Sequence, residues 1–387
     1  MGQMTAGGRR ATGRLEAADI EALTDHDAYP QEPRAARTPR DTAFGRTFSD
    51  TVFSMRWSPG REWHDAQLSR LGPRPMHPGT VALHYGQVVF EGLKAYRLAD
   101  GRVGVFRMDA HARRLCRSAE RIGMPRVPAE LFCAAVRRVV RADERWVPDD
   151  ERLSLYLRPL LFARDESLAL RPADEYEFLV MAFVTEDFFG IVRRAVKVWI
   201  DEQFSRAVPR GTGAVKYAGN YAATYQADRV AAENGCDQVV WLDAVERRWV
   251  EELGAMNIFF VRGSGSRARI VTPPLTGTIL PGITRDCVLT LGARLGYVVE
   301  EAPVSVEEWT SCCRSGEITE TFATGTAAGV CPVGEIRSSQ GTVRIGDGTG
   351  GPVAAALAQH LRRYQRGRAD DLPWISVVPG ELDGRAA

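Results

Sequence analysis

VVFEGLKAYRLADGRVGVF, residues 88–106, holds two β-like runs on either side of Asp100–Gly101, a dipeptide suited to a tight hairpin turn. The next stretch, DAHARRLCRSAERIGM (109–124), reads as a helix capped by Asp109 and stopped near Gly123 and Pro125. A hairpin feeding directly into an amphipathic helix points to a mixed α/β (α+β) fold. The flanks agree. TVFSMRW (51–57) alternates apolar and polar residues as a strand does, and AELFCAAVRRVVRADERW (129–146) reads as a second helix. LSLYLRPLLF (153–162) and EYEFLVMAFV (175–184) are expected strands. These elements outline a first α/β domain over residues 45–185.

Residues 1–44 read as a solvated, disordered tail, rich in Gly, Ala, Arg and Pro with no sustained apolar period. A connector over 186–196 includes the acidic pair Glu186–Asp187. The second domain, 197–387, begins with the strand VKVWI (196–200). YAATYQADRVAAENG (221–235) reads as one helix. DQVVWLD (237–243), RWVEEL (248–253) and NIFFVRG (257–263) read as a β-meander, and GITRDCVLTLGARLG (282–296) as a helix beginning at a glycine.

Composition narrows the function. The chain has 387 residues, 44% of them hydrophobic and 26% charged, and a net charge of +1, so overall electrostatics favour neither nucleic acid nor an anionic membrane. No apolar run approaches the length of a membrane span, and no signal peptide is expected, which together imply a cytoplasmic protein. The seven cysteines are scattered without a C-x-x-C pair, and the six histidines form no paired cluster, so no metal site is expected. His84 and His111 are assigned to packing and hydrogen bonding.

Four places carry residue types suited to chemistry. GTGAVKYAGNYAAT (211–224) sets Lys216 among small residues, although only three of the 50 Lys and Arg residues are lysine: Lys94, Lys197 and Lys216. A primary amine condenses with a carbonyl whereas guanidinium does not, so Lys216 is a Schiff-base candidate; an ordinary loop lysine is the alternative. Glu252, in VEELGAMNIFF, is an acid inside an apolar run and needs a partner, either a protonated ring nitrogen or a structural ion pair. If this is a strand, Glu251 and Glu252 face opposite sides and at most one points inward. TILPGITRD (278–286) and TFATGTAAG (321–329) offer a helix start and a small-residue turn for phosphate, with Arg114 as an added guanidinium. In YLRP (156–159), Tyr156 and Arg158 share one strand face, suited to a carboxylate or to a plain strand edge.

In order, LHYGQVVFEGLKAYR, RLCRSAERIGMP, LYLRP, VKYAGNYAAT, GCDQVVWLD, EELGAMNIFF, LPGITRD and GEITETFATGTAAGVCPV resemble the blocks of the branched-chain amino-acid aminotransferases. These are fold-type IV enzymes dependent on pyridoxal 5′-phosphate, and the likeness runs from about Trp57 to Trp374. It implies a two-domain architecture with the active site between the domains, completed by a partner subunit in at least a homodimer. Lys216 would carry the internal aldimine and move the proton. Glu252 would hold the pyridine nitrogen protonated, and Tyr221 would meet the phenolic oxygen. Arg114, the amides of Ile283 and Thr284, and Thr326 would bind the phosphate. Tyr156 and the Thr326–Ala327 amides would orient the substrate carboxylate. Tyr85, Phe90, Arg158 and Ala255 would line the side-chain pocket, with Arg158 meeting the γ-carboxylate of glutamate. The implied reaction is a two-stroke, ping-pong transamination between leucine, isoleucine or valine and 2-oxoglutarate.

The likeness has gaps. TEDFFG (185–190) is more acidic than the family's connector, Pro209–Arg210 stand where small residues are usual, and Ala328 replaces the first cysteine of the vertebrate redox pair. A specialised fold-type IV aminotransferase acting on an unusual amino or 2-oxo acid, or a D-amino-acid aminotransferase, is the rival reading. A non-catalytic relative and aminodeoxychorismate lyase chemistry are further ones.

Overall fold

The computed structural model describes residues 14–23, 41–186 and 194–380. The first half supplies β1 (Thr47–Ser58), β2 (Glu62–Arg70), β3 (Val88–Phe90), β4 (Leu93–Arg97), β5 (Val103–Phe106), β6 (Leu153–Ala163) and β7 (Tyr176–Glu186). The second supplies β8 (Val196–Ile200), β9 (Gln238–Leu242), β10 (Val250–Leu253), β11 (Met256–Arg262), β12 (Arg269–Thr272), β13 (Val298–Glu301), β14 (Ile318–Gly325), β15 (Gly329–Ser338) and β16 (Gly341–Arg344). A final strand, β17 (Ile375–Val378), returns to the first sheet and pairs with β5. That sheet runs β17-β5-β4-β6-β7-β1-β2, with β3 also on β6.

The β4–β5 hairpin turns where the sequence places it. Gly101 adopts φ +85°, and the Leu98 N–H donates to the Arg102 carbonyl at 2.8 Å. The helix after it starts one residue before the expected cap. Among the helices α1 (Ala17–Glu21), α2 (Val81–Tyr85), α3 (Met108–Arg121) and α4 (Ala129–Ala142), α3 is preceded by Arg107 at φ 53°. Asp109 lies inside its first turn, where it accepts the Cys133 thiol. The alternation expected for 51–57 is also absent over 51–55, all buried, because β1 is covered on both faces. Leu115 of α3 and Phe132 of α4 bury against Phe53 and Phe178, each fully buried side chain contributing about 1.5–3 kcal/mol.

Part of the expected tail is ordered onto this core. Ile20 of α1 is fully buried, Glu21 pairs with Arg137 at 2.6 Å, and the Arg138 Nε donates to the Leu23 carbonyl at 2.8 Å. One apolar residue fixed by two arginine contacts leaves no periodic signal.

The second sheet runs β10-β9-β8-β15-β14-β11-β12-β13, and a further β10–β11 pairing closes its first six strands into a ring. Strand β11 is buried on both faces. Ile258 and Phe260 enter the interior of the ring, whereas Phe259 and Val261 pack outward. The remaining helices are α5 (Gly219–Ala222), α6 (Tyr225–Glu233), α7 (Ile283–Arg294), α8 (Val306–Ser315) and α9 (Pro352–Gln365). The outward face meets Leu291 of α7 and Leu357 of α9. The single helix expected over 221–235 is divided between α5 and α6, with the break at Ala223–Thr224. Within the described residues no helix is long and apolar enough to cross a membrane.

Candidate active site

A cavity of about 660 Å³ lies between the two sheets. Its walls include Phe90, Arg114, Tyr156, Arg158, Lys216, Tyr221, Ala255, Ile283, Thr284, Thr326 and Ala327.

Lys216 is fixed through its backbone. The Phe90 N–H donates to the Lys216 carbonyl at 3.1 Å, the Ala218 N–H to the Val88 carbonyl at 3.0 Å, and Tyr217 bridges Val89. Residues 216–218 therefore pair alongside β3 as a short antiparallel bridge, so the second half of the chain is stitched to the first at the lysine. The Ser118 hydroxyl accepts the Lys216 N–H at 3.0 Å. Asn220, which the sequence does not single out, braces the loop from within by donating to the carbonyls of Thr212 (2.7 Å) and Val215 (3.0 Å). The amine Nζ donates to the Tyr221 hydroxyl at 2.9 Å and sits 4.8 Å from the centre of the Phe90 ring.

Elsewhere in the lining, Gly282 is extended and Ile283 and Thr284 open α7, whose first N–H groups have no partner within the helix. Arg114 reaches the same place, with Nη1 on the Pro281 carbonyl at 3.2 Å. Its remaining nitrogens grip Glu91 at 2.6 and 2.9 Å, and Glu91 also meets His111 Nδ1 at 2.7 Å. Burial opposes the charge on Glu91, but Arg114 and His111 outweigh it and hold the carboxyl well below its usual range. Glu91 was not a sequence candidate, though it stands inside FEGLKAYR. Thr324 also lines the cavity, and its buried hydroxyl has no hydrogen-bond partner.

Tyr156 stacks on Phe183 at 4.9 Å and fits against Gly92, where a Cβ would stand 1.7 Å from the tyrosine oxygen. Arg158 lies over the Phe90 ring at 4.8 Å, and its buried Nε has no hydrogen-bond partner. Thr326 and Ala327 form the turn between β14 and β15, and buried Lys94 donates to the Ala327 carbonyl at 3.3 Å.

Glu252 lies just behind the lining. It accepts from the Leu280 N–H (2.9 Å) and Asn257 Nδ2 (3.1 Å), and pairs with Arg206 Nη2 at 2.8 Å. Burial pushes it up to about 7, against the pull of Arg206 and the Leu280 N–H. The expectation that only one of Glu251 and Glu252 points inward fails, because both are buried. A bulge between Val250 and Glu252 breaks the alternation, and the segment 278–280 covers both acids, Thr278 donating to Glu251. Tyr85 departs as well. It is exposed, donates to the Leu168 carbonyl at 2.8 Å and does not line the cavity of its own chain. Glu186 ends β7, and Asp187 lies outside the described residues.

Residues 88–336 match the family model described as amino-transferase class IV. The branched-chain-amino-acid aminotransferase of Mycobacterium tuberculosis is 47% identical over 339 residues, 87% of this chain and 92% of the relative. The crystal structure of the Escherichia coli branched-chain amino acid aminotransferase superposes with a TM-score of 0.70 at 28% identity, covering 86% of this chain and all of that one. A T.th. branched-chain amino acid aminotransferase complexed with N-(5′-phosphopyridoxyl)-L-glutamate superposes at 0.69 and 28% identity, covering 86% of this chain and 100% of that one. With family, relatives and fold in agreement over most of its length, the chain belongs to the branched-chain amino-acid aminotransferases of the class IV aminotransferase family.

Proposed function

We propose that the protein transfers the amino group between a branched-chain L-amino acid (leucine, isoleucine or valine) and 2-oxoglutarate, with pyridoxal 5′-phosphate as cofactor. The observation that carries this is that the Lys216 amine shares one cavity with the unpaired helix-start amides beside Arg114. The orphaned Thr324 hydroxyl is a further sign that the cavity is built for a polar guest. A phosphate on the amides, a carbonyl near Lys216 and a ring nitrogen toward Glu252 suit these groups.

When bound, pyridoxal 5′-phosphate supplies a carbonyl that takes up the amino group and a ring that accepts the electron pair freed at the substrate Cα. The chain's residues do the rest. Lys216 Nζ would be the group that holds the cofactor's carbonyl end, and its amine would carry the proton taken from the substrate Cα. Tyr221, in contact with Nζ, takes the cofactor's phenolic oxygen as a second partner. Glu252 keeps the ring nitrogen protonated. Arg114, Ile283, Thr284 and Thr326 hold the phosphate, while Tyr156 and the Thr326–Ala327 amides orient the substrate carboxylate. Phe90 and Ala255 give the apolar wall that aliphatic side chains need. Arg158 waits there for the γ-carboxylate of glutamate, which is how one pocket accepts both substrates.

The catalytic unit is a homodimer or a higher homo-oligomer in the cytoplasm. Its two lobes follow the expected division at 45–185 and from 197 onward, corrected in that α1 and the returning strand β17 belong to the first lobe. Initial rates across a panel of L- and D-amino donors with 2-oxoglutarate test the assignment. Parallel double-reciprocal lines for leucine, isoleucine and valine support it. Preference for a D-amino acid, or for a donor of another class, overturns it.

A further inference from the structure

Arg206 is absent from the cavity lining, yet its Nη2 touches three segments that the site depends on. It pairs with Glu252 at 2.8 Å on β10, donates to the Thr278 carbonyl in the segment leading to α7, and lies 3.5 Å from the Gly213 carbonyl in the loop carrying Lys216. Gly213 permits this closeness, since a Cβ there would stand 2.2 Å from the Thr278 oxygen. The arginine and glutamate side chains are both almost wholly buried, at 8% and 4% exposure. Among the described residues Glu252 is the only acid within ion-pairing distance of Arg206, so the guanidinium charge is committed to it.

We propose that Arg206 is a positioning residue that keeps Glu252 ionised toward the cofactor ring nitrogen and ties the lysine loop to the phosphate-binding helix start. This rests on the reading of Glu252 given above. A buried glutamate and a ring nitrogen share one proton, and in a dry site the neutral arrangement, with the proton on the acid, gains as charges lose solvation. Burial indeed favours the protonated acid, and the neighbouring Glu251 pushes the same way, whereas Arg206 and Lys216 oppose it. Arg206 also acts at longer range on Glu251, which the Thr278 hydroxyl engages, but among the described residues only Glu252 lies within ion-pairing distance of it. A cation 2.8 Å from Glu252 lowers the proton affinity of the acid more than that of the farther ring nitrogen. The proton therefore stays on nitrogen, and the ring keeps its capacity to accept electrons.

The test uses holoenzyme reconstituted with cofactor labelled with nitrogen-15 in the ring, and reads the nitrogen chemical shift alongside the cofactor Kd. The native enzyme should show a protonated nitrogen. Arg206→Met should show an unprotonated one and a cofactor Kd raised about 10- to 100-fold, the loss of one charge-assisted hydrogen bond, whereas Arg206→Lys, which restores the charge, should return the shift toward native. If Arg206→Met does not fold, Arg206→Gln, which keeps a donor for the two carbonyls but removes the charge, carries the same expectation. Glu252→Gln separates the two claims. If it loses the protonated signal while the uncharged Arg206 variants keep theirs, the role of Arg206 is overturned and that of Glu252 stands. If Glu252→Gln itself keeps the protonated signal, the reading of Glu252 fails and the proposal falls with it.

Discussion

Glu91 and Arg114 form a buried, two-pronged pair, with Nε and Nη2 of the arginine on separate carboxylate oxygens at 2.6 and 2.9 Å. This pair aims the third nitrogen at Pro281, beside the start of α7. Replacing Glu91 by Gln leaves a buried guanidinium without its counter-charge, a loss of about 3–5 kcal/mol. The expected result is a fall in the melting temperature together with weaker binding of pyridoxal 5′-phosphate, checked by calorimetry and cofactor titration.

Stability should also depend on pH in two opposing ways. The depressed pKa of Glu91 contributes stability that is present above the usual glutamate value of about 4.3 and is lost as pH falls below it. Asp143 acts oppositely. Burial raises it to about 6 despite hydrogen bonds from the Thr51 hydroxyl and N–H, so the native state holds an extra proton between about 4 and 6. Its contribution is therefore lost as pH rises through that window. Asp143→Asn should flatten the descending part of the stability curve there, as read from apoprotein denaturation at several pH values.

Arg210 is held at φ 63° in the loop that carries Lys216, and Arg121 secures that loop through backbone carbonyls only, those of Arg210 (2.7 Å) and Gly211 (3.0 Å). Arg210→Gly keeps both contacts and removes the strain of a left-handed residue with a Cβ. After the entropy cost of glycine the net gain is about 0.5–1 kcal/mol. A small rise in melting temperature with kcat unchanged is expected.

Arg158 has no carboxylate partner among the described residues, and its Nε is unsatisfied. Arg158→Met should raise the KM for 2-oxoglutarate by about 10- to 100-fold, in line with the loss of a charge-assisted hydrogen bond. The KM for leucine should move much less. Equal changes in both would place Arg158 elsewhere in the mechanism.

Much of this site is legible in the residues themselves. Lys216 stands out because the chain otherwise uses arginine, and Gly282–Thr284 announces a helix start. Tyr156 and Arg158 share a face by strand periodicity alone. The burial of both Glu251 and Glu252 is not legible, because it follows from a bulge and from a covering segment far along the chain. Glu91 and Arg206 escape notice for a related reason. Each is an ordinary charged residue until the fold brings Arg114 to one and Glu252 to the other. Tyr85 shows the converse, since a residue implied by family likeness turns outward once the single chain is folded.

The central claim is that Lys216 and its cavity run both halves of an amino-group exchange, and the absorbance spectrum of the purified holoenzyme tests it most directly. L-Leucine alone should bleach the visible band of the bound cofactor, and 2-oxoglutarate added afterwards should restore it, with Lys216→Ala showing neither change. A visible band that leucine leaves untouched would contradict the branched-chain assignment. A protein that binds no pyridoxal 5′-phosphate would contradict the reading of Lys216 itself.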